Sequence, residues 1–280
     1  MYDADASLVE RACDELSKSS RLRQILGIVL QFGNRLNTAG SKTKRKAGAF
    51  TLDSLLKLHQ AKAFDKKTTF LHYVILIVQR NNEVLLNFAD ELPSVLKADK
   101  VFWDQVLSDL EKVENELENV RRIALHEARL KKVQYVQRQE SNDDDDNDSI
   151  GEIEMTLEEE VEALRASPTG LFTLNAIKQV SALRDKVEVT RAKFTKVLVY
   201  FGEEEKNMQP HELFSIFVKF CRNFNKAKEQ VLAKQKKRLR EERKKNRNQT
   251  PNGKPPSGPE KSNKSSLASS SGHHRHQMLA

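Results

Sequence analysis

Residues 103–124, WDQVLSDLEKVENELENVRRIA, carry apolar side chains at alternating steps of three and four. The apolar positions are Trp103, Val106, Leu110, Val113, Leu117, Val120 and Ala124, with charged residues filling most of the places between them. This spacing keeps one stripe of a helix apolar over about three heptads. It predicts a long helix, partly coiled coil, that continues to about Gln139.

The segments on either side show the same kind of periodicity. The 280 residues include only ten Gly and seven Pro, which disfavours a β-sandwich or a glycine-rich nucleotide-binding sheet. The pattern therefore predicts an all-α fold, an elongated helical bundle with a long coiled-coil helix. We expect further helices over residues 7–37, 50–58, 70–78, 155–164 and 171–201, and one that begins at Pro210.

The sequence predicts details of three of these helices. Thr69 or the preceding Thr68 is placed to cap the helix that starts near Phe70, and Thr51 or Asp53 to start the helix over residues 50–58. Residues 70–78 are apolar on nearly every side, which places them at the centre of the core. Gly202 is expected to end the helix over residues 171–201.

Charge is distributed unevenly along the chain. Residues 226–280 contain 15 Lys or Arg and 4 Asp or Glu, whereas residues 1–225 contain 33 basic and 36 acidic residues. The net charge of +8 therefore belongs to the tail. Residues 140–162 hold twelve Asp or Glu and no Lys or Arg, so we expect a disordered acidic insert within a domain of residues 1–235. A basic helix over 236–248 and a disordered tail over 249–280 would follow it.

The basic helix suits an anionic partner, because it concentrates cations with few acidic residues between them. Its candidate binding residues are Lys236, Lys237, Arg238, Arg240, Arg243, Lys244 and Lys245. An acidic protein surface or an acidic lipid surface would fit them. Nucleic acid is disfavoured, since the segment has no aromatic residue on which a base could stack.

Motifs for chemistry are scarce in this sequence. It contains no glycine-rich phosphate loop and no GxSxG motif. Cys13 and Cys221 lie far apart and are expected to be two buried thiols rather than a disulfide or a metal pair. We therefore expect no enzyme activity, no cofactor and no metal site.

Three blocks of sequence, in order and at the right spacing, resemble the formin homology 2 domain. The family pattern GNYMN corresponds to residues 33–37, GNRLN, and GFKLSSLLKL corresponds to residues 49–58, AFTLDSLLKL. The family's T-LLHYLV stretch corresponds to residues 69–76, TFLHYVIL. The similarity covers about residues 8–235 and is nearest in style to diaphanous and dishevelled-associated formins.

The resemblance implies an all-helical, cytoplasmic protein of the actin cytoskeleton. It also implies assembly as a head-to-tail dimer. Such dimers nucleate filaments and stay on the growing barbed end. The resemblance places Gly33, Asn34 and Asn37 in the post, the region that accepts the partner chain's lasso segment. It also places an actin-binding surface at the helix over residues 50–58 and the loop before it, with candidate residues Lys42, Lys44, Arg45, Lys46, Thr51 and Lys57.

The chain also departs from the family pattern. The lasso, the linker and most of the knob are expected before the Gly33 motif and are not found there, and Thr51 stands where the family has an actin-contacting lysine. We therefore expect only the post and coiled-coil part of the domain. This leaves two interpretations, an actin-assembly protein of the formin type or a noncatalytic lasso acceptor or scaffold that needs a complete formin partner.

Overall fold

A computed structural model describes residues 2–38, 45–63, 65–140, 156–204 and 208–249. These residues form helices joined by turns, with one isolated β-bridge between Lys62 and Thr69. The α-helices are α1 (Tyr2–Lys18), α2 (Ser20–Thr38), α3 (Leu52–Lys57), α4 (Phe70–Asn81), α5 (Val95–Ala98), α6 (Trp103–Glu140), α7 (Leu157–Arg165), α8 (Pro168–Phe201) and α9 (Pro210–Gln249). A 3₁₀-helix, Glu83–Glu91, lies between α4 and α5. The predicted all-α fold is confirmed.

The chain divides into two units, residues 1–234 and residues 235–280. The first unit contains one large hydrophobic core and a small second cluster. Four phenylalanines of α9 in the large core, Phe214, Phe217, Phe220 and Phe224, are fully buried. Phe88 of the 3₁₀-helix packs edge-on against Phe224, with ring centroids 5.0 Å apart. Burial of this aromatic area supplies much of the hydrophobic stabilisation of the unit.

The region predicted as one helix over residues 7–37 is two helices, so that prediction is wrong. The break falls at Ser19, whose hydroxyl donates to Glu91 Oε2 at 2.6 Å and accepts from the backbone N–H of Leu22 at 3.0 Å. Ser19 thus caps the start of α2. Arg21 adds an ion pair with the same carboxylate at 3.0 Å, which ties the start of α2 to the 3₁₀-helix.

The sequence predicts residues 70–78 at the centre of the core, but only one face of α4 is buried. Its inner face is fully buried, with Leu71 and Ile75 at 0% exposure. Its outer face is open, since Tyr73 and Leu76 are each 41% exposed. A helix that is apolar on every side is thus covered on one side only. This leaves an apolar surface beside α2.

Most predicted helix ends are confirmed. Thr69 is the N-cap of α4, and its backbone N–H donates to His72 Nδ1 at 3.0 Å. Gly202 ends α8 in the left-handed conformation at φ 75°, and Pro210 starts α9. Thr51 is the N-cap of α3, although its hydroxyl contacts the Ser54 hydroxyl instead of capping a backbone N–H.

The long helix predicted from residues 103–124 is also confirmed, as α6. Its apolar stripe is buried at Trp103, Val106, Leu110 and Ala124, but Val113 is 37% exposed. Helix α7 packs near the middle of α6, where Arg121 pairs with Glu160 at 2.7 Å. The helix expected over residues 155–164 is present as α7, so the disorder expected over residues 140–162 does not extend to residues 157–162. The rest of the expected disorder falls almost entirely on residues 141–155 and 250–280, which lie outside the described residues.

Among the described residues, no helix combines the length and the apolar character that crossing a membrane requires.

Candidate functional site

A groove of about 240 Å³ opens at the second half of α2, between this helix, the segment before α3 and the start of α4. Gly33, Asn34 and Asn37, the three residues that the sequence assigns to the lasso-accepting site, all line it. The other lining residues are Val29, Leu30, Ala47, Ala49, Phe50, Ser54, Leu58 and Phe70. The structure therefore brings the first two sequence blocks, and the start of the third, to one site.

Asn34 fixes one wall of the groove. Its Nδ2 donates to the Ala47 carbonyl oxygen at 2.8 Å, and its Oδ1 accepts from the Ala47 backbone N–H, also at 2.8 Å. The side-chain amide therefore pairs with both backbone polar groups of one residue, as a neighbouring strand would. This pair holds Ala47 against α2, so Asn34 shapes the groove.

Gly33 leaves space on the helix surface at the same site. A Cβ atom added at Gly33 would have no neighbour within 4 Å, so packing inside this chain does not require the glycine. Glycine in a helix interior costs about 0.5–1 kcal/mol relative to alanine. Gly33 therefore leaves the surface of α2 open where the helix lines the groove, at some cost in helix stability.

Aromatic rings form the opposite wall and continue beyond the groove. Phe70 lines the groove and lies 4.8 Å from the ring of Phe32, whose own centroid is 6.0 Å from that of Tyr73. This row connects the groove to the exposed outer face of α4. Phe70 was not predicted as a site residue, although an aromatic residue directly after the Thr69 cap was a visible signal.

The candidate actin-binding residues lie on the segment that forms the other rim. Arg45 and Lys46 are exposed just before Ala47, Thr51 is exposed at the N-cap of α3, and Lys57 is exposed in its last turn. The same segment contributes Ala47, Phe50 and Ser54 to the groove. Lys42 and Lys44 lie outside the described residues. The candidate actin-binding segment and the candidate dimer site are thus neighbours.

The basic tail residues lie elsewhere on the chain, in α9. All seven, Lys236, Lys237, Arg238, Arg240, Arg243, Lys244 and Lys245, are exposed. Arg238 Nε donates to Glu242 Oε1 at 3.0 Å, which offsets part of its charge. All seven belong to the second unit, residues 235–280.

The cysteines are free and buried, as predicted. Burial raises the pKa of the Cys13 thiol and of the Cys221 thiol to about 12, so both stay protonated near neutral pH. His72 is held between two partners, since its Nε2 lies 2.9 Å from Gln230 Oε1 and its Nδ1 accepts from Thr69. The two thiols and His72 therefore belong to the packing between helices. The groove is a binding surface that acts through its shape and its apolar contacts.

Comparison with known proteins identifies the family. The model of the Formin Homology 2 Domain matches residues 3–225. The chain is 30% identical over 223 residues to Formin-E of Dictyostelium discoideum, an alignment that covers 80% of this chain and 12% of that protein. It is 30% identical over 235 residues to human Disheveled-associated activator of morphogenesis 2, covering 83% and 19%.

A third relative matches a shorter stretch more closely. Human Protein diaphanous homolog 3 is 36% identical over 116 residues, which cover 41% of this chain and 10% of that protein. The chain spans less than a fifth of the length of each of these relatives. The match over residues 3–225 includes the whole groove. The chain belongs to the formin homology 2 domain family.

Proposed function

We propose that this chain acts in actin-filament assembly, as the post and coiled-coil part of a formin. The observation that carries the proposal is the groove of about 240 Å³ at the Gly33 motif, with its fixed wall and its open helix surface. Its role is binding, because the formin homology 2 family promotes nucleation and barbed-end growth by holding actin subunits in place. No covalent step, cofactor or metal enters this proposal.

The groove would receive a lasso segment from a second formin homology 2 chain. Three features support this role: the apolar wall at Phe50 and Phe70, the space over Gly33, and the Asn34–Ala47 pair that fixes the rim. A preformed groove reduces the ordering that binding requires, which favours affinity. The exposed Tyr73 and Leu76 extend the apolar surface available to the partner.

Actin would contact the segment from Arg45 to Lys57 beside the groove. Its exposed cations, with Lys42 and Lys44 in the preceding loop, suit an acidic surface of the filament end. Because this segment also lines the groove, seating the partner chain would order the actin-binding side chains. Dimer formation and actin binding would then reinforce each other.

The actin contact is tested by replacing Lys42, Lys44, Arg45 and Lys46 with alanine and measuring affinity for fluorescently labelled actin. We expect weaker binding and an unchanged melting temperature, since the described members of the set, Arg45 and Lys46, are exposed. The matched control removes four exposed lysines from α8 and α9, Lys178, Lys196, Lys219 and Lys226. Equal affinity in both variants would remove the basic loop from the actin site.

A second candidate function is a noncatalytic lasso acceptor or scaffold that works only with a complete formin partner. The open space at Gly33 supports it, because no described residue occupies the position of a Cβ added there. The two functions differ in one measurable respect. A scaffold binds a complete formin homology 2 chain yet leaves filament growth unchanged when it is added alone.

A further inference from the structure

The seven cations of the basic helix do not form one uniform surface. At 3.6 residues per turn, five of them project within an arc of about 120° around α9. We name this arc the basic face, and its members are Lys236, Lys237, Arg240, Arg243 and Lys244. They extend over about 12 Å of helix.

Acidic residues are kept off the basic face. Glu241 and Glu242 project on the other side of the helix together with Arg238 and Lys245, centred about 150° from the middle of the basic face. Arg238 Nε donates to Glu242 Oε1 at 3.0 Å, so that side carries paired charges and little net charge. The residues of both sides are exposed. The helix therefore has one strongly cationic side and one nearly neutral side.

A one-sided charge distribution fits a partner that presents a surface. A flexible polyanion that wraps a helix would use cations on every side, whereas a folded partner contacts one side. Arg240 and Arg243 lie one turn apart within the face, and an arginine fork pairs with a carboxylate through two hydrogen bonds. Leu239, 56% exposed, borders the face and offers a single apolar contact.

The surroundings of the basic face favour carboxylates over lipid or nucleic acid. A helix that inserts into the interface of a membrane needs a broad apolar side, and this stretch has only Leu239, so its only contact with lipid would be to the headgroups. No aromatic residue is available for stacking on bases. We propose that the basic face of α9 is a binding site for an acidic protein surface, a role independent of the proposed function.

The test compares two double variants of the full chain that remove the same charge and the same residue types. Arg240→Gln with Lys244→Gln alters the basic face, and Arg238→Gln with Lys245→Gln alters the opposite side. The carboxylate probe is a fluorescent helical peptide of about 20 residues that carries its glutamates along one side only, and its affinity is measured by anisotropy at several salt concentrations. Phosphatidylserine vesicles and a short DNA duplex are the phosphate probes.

We expect the basic-face variant to bind the peptide about five- to tenfold more weakly and the opposite-side variant to change by less than about twofold. The wild-type chain should bind the peptide more tightly than either phosphate probe at equal charge and salt. Equal losses in the two variants would overturn the proposal, because net charge alone would then explain binding. Tighter binding to vesicles or to the duplex would overturn the choice of carboxylates.

Discussion

Replacing Gly33 with alanine should strengthen the fold and weaken partner binding at the same time. The added methyl group has no neighbour within 4 Å in this chain, so it causes no internal clash. It would instead project at the groove that Gly33 lines. Gly27 provides the matched control, because it lies in the same helix, has equal free space and does not line the groove.

The stability effect follows from helix propensity. Each glycine-to-alanine change should stabilise α2 by about 0.5–1 kcal/mol, through the lower backbone entropy of alanine in the unfolded chain. For a domain of this size the melting temperature should rise by about 1–4 °C in both variants. A lower melting temperature in Gly33→Ala would show that the space above Gly33 is filled within the chain.

The binding effect should separate the two variants. A methyl group forced into a packed contact costs about 1–3 kcal/mol, which corresponds to a loss of roughly 5- to 150-fold in affinity. The assay is isothermal titration with the complete formin homology 2 domain of human Disheveled-associated activator of morphogenesis 2. Gly27→Ala should bind as wild type does. Wild-type affinity in Gly33→Ala would refute the assignment of the groove as the partner's seat.

Three further predictions concern the fold around the site. A Cβ at Gly170 would lie 2.0 Å from the Leu164 carbonyl oxygen, so Gly170→Ala should cost at least about 1–3 kcal/mol and expose α7 to hydrogen exchange; unchanged protection of α7 would contradict this. Thr190 Oγ1 is buried with no hydrogen-bond partner among the described residues, so Thr190→Val should stabilise by about 1 kcal/mol in urea unfolding. Thr173→Val, which loses a 2.8 Å bond to the Thr169 carbonyl, should not; equal changes would refute the distinction. Hydrogen bonds from the Thr68 side chain and from the Thr68 and Lys67 backbone hold the pKa of Asp65 at about 2. The turn should therefore lose this stabilisation as the pH falls from about 4 through 2. An NMR titration of the Asp65 carboxyl carbon with a midpoint near 4 would contradict this.

Local sequence signals predicted the helix ends well. Pro210, Gly202 and Thr69 act through their own backbone conformation or through residues three or four positions away. Such effects depend only on a short stretch of sequence, so the helix ends can be predicted without knowledge of the tertiary structure. The same applies to the long helix α6, whose apolar stripe repeats over many turns.

Features that depend on distant contacts could not be predicted. The break between α1 and α2 needs Glu91, which is 72 residues away from Ser19. The exposed outer face of α4 depends on which neighbours cover the helix, and periodicity does not supply that information. The Asn34–Ala47 pair joins residues 13 positions apart, so the motif indicated the site but not the role of Asn34 in shaping it.

The central claim is that this chain takes part in filament assembly through the groove. Imaging of single seeded actin filaments tests it most directly, with the chain added at sub-stoichiometric amounts, alone and together with an equimolar complete formin homology 2 domain. We expect the chain to change barbed-end growth or make it more persistent. Gly33→Ala should reduce this effect, and Gly27→Ala should leave it unchanged. The role would be contradicted if the chain left barbed-end growth unchanged both when added alone and when added with the complete domain.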